Sequence, residues 1–167
     1  PDLQAMHAAC PWWITWDDHE VQNDDAGLQA GNSGFSDPAS PANFARRRAA
    51  AYQAWYEHMP VRPSVLTQSF AGLASGAEMR IHGRVQFGQL ADLYLLDARQ
   101  YKDPQACTKS GALGSGIVNP AQCPAWQDPG RSLLGLRQEQ WLAQELAQTR
   151  SRQTRWQMLG QQSLFGS

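Results

Sequence analysis

Apolar positions recur along the chain with different periods, and each period marks an element. Leu3, Met6 and Ala9 or Cys10 fall at helical spacing, and Pro11 closes that helix. Pro11-Trp12-Trp13-Ile14-Thr15-Trp16 is an apolar, aromatic run that predicts a short buried strand over 12–16. Residues 22–42 carry scattered Gly, Pro, Asn, Asp and Ser without a period and read as loop. Asn43 reads as an N-cap for a helix from Phe44 to about His58, with Ala49, Tyr52, Tyr56 and Met59 near one face and Trp55 extending it. Arg46, Arg47 and Arg48 spread around that helix at about 100° per residue and are expected to form a solvated arc. A Ser- and Gly-rich linker over 64–77 leads to a strand from Met79 to Phe87, with Ile81, Val85 and Phe87 inward. Gly88-Gln89 makes the turn into Leu90–Leu96, whose nearly continuous apolar character marks a strand buried on both faces. A helix over 136–148 places Trp141, Leu142 and Leu146 inward and Gln138, Glu139 and Gln144 outward. Residues 154–161 then read as a third strand. Strand, helix, strand in that order predicts a crossover in a mixed sheet with flanking helices, an α+β or α/β arrangement.

The totals suit a single globular domain over 1–167. The net charge is −1, which gives no bulk attraction to nucleic acid. No apolar stretch approaches the roughly 20 residues needed to span a bilayer. Residues 1–9 lack the basic start and apolar centre of a signal peptide. The chain opens on Pro1-Asp2 without Met and is expected to be a processed or excised piece.

Candidate chemistry gathers where the first apolar run ends, at Asp17-Asp18-His19-Glu20. Three carboxylates and an imidazole in four positions repel unless a positive charge sits among them, and a divalent or trivalent metal is the economical one. The plainer reading is a solvated polar loop. Alternation along a strand would separate Asp17 and His19 from Asp18 and Glu20, so a turn must begin here for Asp18 and His19 to serve one centre. The same alternation argues against a two-carboxylate glycosidase built on Asp17 and Asp18. Asn23, Asp24 and Asp25 offer further oxygens, with ordinary turn chemistry the simpler account. Asp97 and Arg99 read first as a structural ion pair and second as part of a site rim. His7 reads as a surface histidine, and Cys10 as a small buried apolar residue. Cys107 and Cys123 lie in a long irregular segment, 102–131, and enclose 15 residues. A disulfide between them would tie that segment down, with about 3 kcal/mol from chain entropy, and implies an oxidising compartment.

Taken together these strings resemble the PhoD-like alkaline phosphatases, a branch of the calcineurin-like metallophosphoesterases. The similarity is carried by Trp-Asp-Asp-His-Glu-Val at 16–21, Ala-Tyr-Gln-Ala-Trp-Tyr-Glu-His-Met-Pro at 51–60, and Ala-Asp-Leu-Tyr-Leu-Leu-Asp-Ala-Arg-Gln-Tyr at 91–101. Leu-Gly-Leu-Arg-Gln-Glu-Gln-Trp-Leu at 134–142 and Trp-Gln-Met-Leu-Gly-Gln-Gln at 156–162 extend it. The resemblance implies part of a metallophosphoesterase αββα sandwich and hydrolysis of phosphate mono- or diesters by a metal-bound hydroxide. It implies Asp18 as a metal ligand and His19 near the leaving-group oxygen; around them Asp17, Glu20, Asn23, Asp97 and Arg99 read as supports or site rim. It implies iron and calcium, other divalent metals being possible, a phosphate ester as partner, and export to the periplasm or beyond. Two departures stand out. Asp25 occupies a position where Tyr is usual, and Ala98 one where Thr is usual. The superfamily's upstream Asp-x-His/Cys and Gly-Asp segments and its downstream histidines are not in this sequence, so the expectation is an incomplete central segment. The alternative is a non-catalytic binding or scaffold relative that kept the fold and lost the metals.

Overall fold

The computed structural model describes residues 2–31, 41–108 and 118–163, so expectations for 32–40 and 109–117 lie outside it. Three strands form one sheet in the order β1-β2-β3: β1 is Gly83–Phe87, β2 is Ala91–Leu95 and β3 is Trp156–Gly160. β1 and β2 make an antiparallel hairpin with Val85 opposite Leu93, and β3 runs parallel to β2 with Met158 beside Leu93. The mixed sheet with flanking helices is therefore present. Parallel strands need a long connection. Here it runs through the disulfide-bearing segment, α4 (Leu136–Ala147) and the short α5 (Thr149–Arg152). β2 is the central strand and is buried almost throughout, as its apolar run requires. Cys107 and Cys123 are joined, with Cα atoms 5.8 Å apart.

The main core forms where α2 (Pro41–His58) meets the 12–16 segment. Trp16 stacks on Tyr52 at 4.1 Å between ring centroids and receives the edge of Trp55 at 5.0 Å. Leu73, Met79 and Ile81 complete the cluster. Burying three large rings this way is worth several kcal/mol of apolar transfer alone, about 25 cal/mol per Å².

Several expectations are corrected. The 12–16 run joins no strand ladder. It is held by side chains, with Gln162 Nε2 donating to Thr15 Oγ1 at 2.7 Å and Thr15 Oγ1 donating to Leu96 O at 3.4 Å. Of its apolar residues Trp16 alone is fully buried, and Trp12 is exposed. α2 starts at Pro41, so Asn43 sits within its first turn. The linker is partly structured: a 3-10 turn spans Pro63–Val65, and α3 (Phe70–Leu73) buries Leu73 in the core. The first strand is shorter than expected because residues 79–82 leave the ladder, and Val85 and Phe87 are exposed rather than inward. Cys10 is a free, exposed thiol, since α1 (Asp2–Ala9) has no buried residue to pack beside it. His7 is half-buried, its ring meeting Trp12 edge-on at 4.9 Å.

Polar expectations shift for the same reason: local pattern does not reveal which polar groups the fold needs inside. Gln138, expected outward, is only 1% exposed. Its amide accepts from Asp97 N at 2.9 Å and donates to Asp97 O at 2.8 Å, splinting α4 to the end of β2. Arg48 is 3% exposed and donates to Gly27 O and Gly76 O, each at 2.8 Å. Arg47 reaches Gln22 Oε1, leaving Arg46 as the exposed member of the expected arc. No helix among the described residues is long and apolar enough to cross a membrane.

Candidate active site

The acidic tetrad sits where the 12–16 run reaches the C-terminal ends of β2 and β3, the side of a sheet where ligands collect. The chain turns there. Asp18 O accepts from Val21 N at 2.9 Å and Gln22 N at 2.7 Å, while Glu20 Oε2 caps Asp17 N at 2.9 Å. Asp24 adopts a left-handed conformation, φ 58°, a state that Asp and Asn tolerate better than most residues. Gly31 then packs against the backbone of Asn23 and Asp24 so closely that a Cβ would stand 2.0 Å from Asn23 O. That approach closes the 22–31 loop under the tetrad.

The turn cancels the alternation expected of a strand, and Asp17 and Asp18 both approach one cation, Arg99. Arg99 donates from Nε to Asp17 Oδ1 at 2.7 Å, and its Nη2 lies 2.6 Å from the same oxygen and 3.6 Å from Asp18 Oδ2. The expected Asp97–Arg99 side-chain pair does not form. Asp97 instead accepts the amides of Arg99 and Gln100, both at 2.9 Å, and the Gln100 side chain at 2.6 Å. A carboxylate just past a strand end satisfies its own turn more easily than it folds back onto a neighbour two residues on. This turn frees the Arg99 guanidinium to reach the tetrad.

Asp18 is 8% exposed. Oδ2 accepts from Asp24 N at 2.8 Å, while Oδ1 lies 4.0 Å from His19 Nε2. Burial opposes its charge, but the Asp24 amide and Arg99 outweigh it and hold the carboxyl below the ordinary value. His19 is exposed, at 78% of its side chain. Its Nε2 is 2.9 Å from Asn23 Oδ1, and that bond, followed by the Asp18 charge, raises its pKa above 6.5. Asn23 also donates to Asp24 Oδ2 at 2.8 Å.

The residues fit one arm of a metal centre. An ionised carboxylate with one oxygen pinned and the other open is a ready hard-cation ligand. Among the described residues no group of three His, Cys, Asp or Glu side chains could hold a metal ion by itself. Sequence reasoning undervalued two residues in this region, Asp25 and Arg48, both buried against the same loop. The Asn-Asp-Asp run marked Asp25 as acidic, but no local signal indicates that it is buried.

Comparison with known proteins meets this geometry. The sequence model of one family, described as PhoD-like phosphatase, matches residues 1–167. The chain is 41% identical over 164 residues to alkaline phosphatase D of Bacillus subtilis (strain 168), covering 98% of this chain and 24% of that protein. A solved structure titled "Structure of PhoD" superposes with a TM-score of 0.72 at 36% identity, over 99% of this chain and 27% of the other. The chain thus spans about a quarter of the length of the curated relative it matches. With sequence and fold alike matched from end to end, the chain belongs to the PhoD-like phosphatase family.

Proposed function

We propose that this chain is the central segment of a metal-dependent hydrolase of phosphate mono- or diesters, exported from the cytoplasm, in which Asp18 binds metal and His19 serves the leaving group. The observation that carries this reading is Asp18, with one oxygen fixed by Asp24 N and the other open beside His19. When bound, an iron or calcium ion would supply Lewis-acid charge to the phosphoryl oxygens. The chain's own residues do the rest. Arg99 and the Asp24 amide hold Asp18 ionised and oriented. Arg99 also holds Asp17, so the tetrad does not spring apart by self-repulsion. His19, with its pKa raised by Asn23, carries the proton that passes to the ester oxygen as its bond to phosphorus breaks, while water supplies the new oxygen. The Cys107–Cys123 disulfide supports export.

The test is hydrolysis of p-nitrophenyl phosphate and bis(p-nitrophenyl) phosphate by the full polypeptide, with and without chelator. Turnover lost on chelation and regained with iron and calcium is the expected result. Turnover that survives chelation and Asp18→Ala would sink the reading. A stable, metal-free protein with no turnover on either ester would favour the non-catalytic alternative.

A further inference from the structure

The loop over 22–31 holds Asp18, and one buried side chain shuts that loop. Gln22 is 6% exposed. Its N–H donates to Asp18 O at 2.7 Å, and its carbonyl accepts from Asp25 N at 3.1 Å. Its side-chain amide donates from Nε2 to Gly31 O at 2.9 Å and accepts at Oε1 from Arg47 Nη1. Gly31 is thereby drawn against the turn, where a Cβ would stand 2.2 Å from Asp24 C and 2.5 Å from Asp24 O. Asp24, in its left-handed conformation, places its N–H on Asp18 Oδ2 at 2.8 Å. Arg48 donates to Gly27 O at 2.8 Å and Gly27 N donates to Arg99 O at 2.9 Å, which fixes the middle of the loop. Adjacent residues of α2 therefore hold the loop at two places, Arg48 directly and Arg47 through Gln22. A left-handed backbone at a residue other than Gly costs free energy and persists only where its surroundings over-determine it. The Gln22 amide, bonded at both of its ends inside the protein, supplies that constraint.

We propose that Gln22 is a positioning residue: its buried amide ties Gly31 to Arg47 of α2 and so keeps the Asp24 N–H on the Asp18 carboxylate. The proposal rests on the reading of Asp18 as a metal ligand and deepens it. The Gln22 backbone steadies the main chain of Asp18, and its side chain steadies the carboxylate at one remove, through Gly31 and Asp24. A ligand oriented beforehand loses little freedom when the ion arrives, which is how groups around a ligand raise metal affinity.

Gln22→Met keeps the length of the side chain and removes the amide. In the full polypeptide, stripped of metal and titrated with calcium, it is expected to weaken binding about tenfold or more. Before calcium is added, hydrogen exchange at the Asp24 amide should quicken about tenfold as well, because the loop no longer keeps that N–H on Asp18. In turnover at subsaturating calcium, apparent kcat should fall with metal affinity while KM for p-nitrophenyl phosphate stays within about twofold. Ile81→Val, in the core, is the control for a purely structural role: it should lower the urea midpoint and leave calcium affinity within about twofold. In a folded Gln22→Met, an unchanged calcium affinity or an unchanged Asp24 exchange rate overturns the proposal. Should Gln22→Met fail to fold, Arg47→Met removes the helix end of the tie and is judged by the same two readouts. A native polypeptide that binds calcium no better than Asp18→Ala removes Asp18 as a ligand, and the proposal with it. If calcium binding and its dependence on Gln22 are present but no phosphate ester is hydrolysed, the phosphoesterase reading falls and the positioning role stands.

Discussion

At the start of β2, Asp92 is fully buried and both its oxygens are engaged: Oδ1 by Arg84 Nη1 at 2.5 Å, Oδ2 by Thr154 Oγ1 at 2.7 Å with Arg152 at 3.8 Å. Glu145 closes the ring from α4, meeting Arg84 at 3.0 Å and Arg152 at 2.6 Å. At the other end of β2, Arg99 also meets two carboxylates, Asp17 and Asp18, but there Arg99 Nη1 and Asp25 Oδ1 are buried without a hydrogen bond among the described residues. Both clusters are arginines among carboxylates, and their difference is one of completion. The first bridges β1, β2, α4, α5 and the start of β3, with each carboxylate oxygen of Asp92 satisfied, which is how a fold keeps a buried charge. The second holds donors and acceptors in reserve, which costs stability and leaves capacity for something else to bind.

The largest effect that tests this contrast is on activity. Asp18→Ala in the full polypeptide should lower kcat about 10³-fold, roughly 4 kcal/mol of barrier, while leaving the urea midpoint nearly unchanged. A variant that unfolds but keeps its turnover per folded molecule would reverse the assignment of the two clusters. Asp92→Ala should do the opposite and cost about 3 kcal/mol in urea unfolding, because it strands Arg84 and Arg152. A loss under about 1 kcal/mol would mean the closed ring does not hold the fold together. His19→Ala should lower kcat about 10²-fold with a poor alkoxide leaving group and little with p-nitrophenolate, since only the former needs the proton. Equal losses on both esters would remove His19 from the leaving-group role.

The smallest effect is a difference in sign with pH. Burial, opposed by Arg99, raises Asp25 from 3.8 to about 7, with Asp18, Arg48 and Asp97 as its other charged neighbours. Between those values the native state holds a proton that the unfolded chain releases, so stability should fall as pH rises from about 4 to 7. Asp92 behaves the other way. Burial opposes its charge, but Thr154 and Arg84 lower its pKa on balance, so its contribution is present above 3.8 and is lost as pH falls below that. Urea midpoints across pH 3–8 for Asp25→Asn and Asp92→Asn separate the two. Asp25→Asn should flatten the neutral slope alone, and an unchanged slope there would show that Asp25 is not the titrating group.

Much of this was legible in the sequence, and for a physical reason. Helix and strand existence follow from apolar spacing, so α1, α2, α4, β2 and β3 were readable from residues such as Tyr52, Trp55 and Trp141. The disulfide was readable because two cysteines in one long loop have few other uses. Asp17 to Glu20 stood out because three carboxylates in four positions repel one another and, once out of water, need a positive charge among them.

Other features depended on neighbours far along the chain. The apolar 12–16 run does not show that it will be held by Gln162 rather than by a ladder. Nor does a pair of residues two apart show that Arg99 will pass over Asp97 to bind Asp17. The composition of this chain and the periods of its apolar residues determined its elements, its tied loop and the place of its acidic turn. Only the tertiary structure decided which polar groups went inside, Arg48, Asp25, Asp92 and Gln138 among them. A buried polar side chain is chosen by the partner that satisfies it, and that partner is fixed by three-dimensional approach, not by spacing along the sequence.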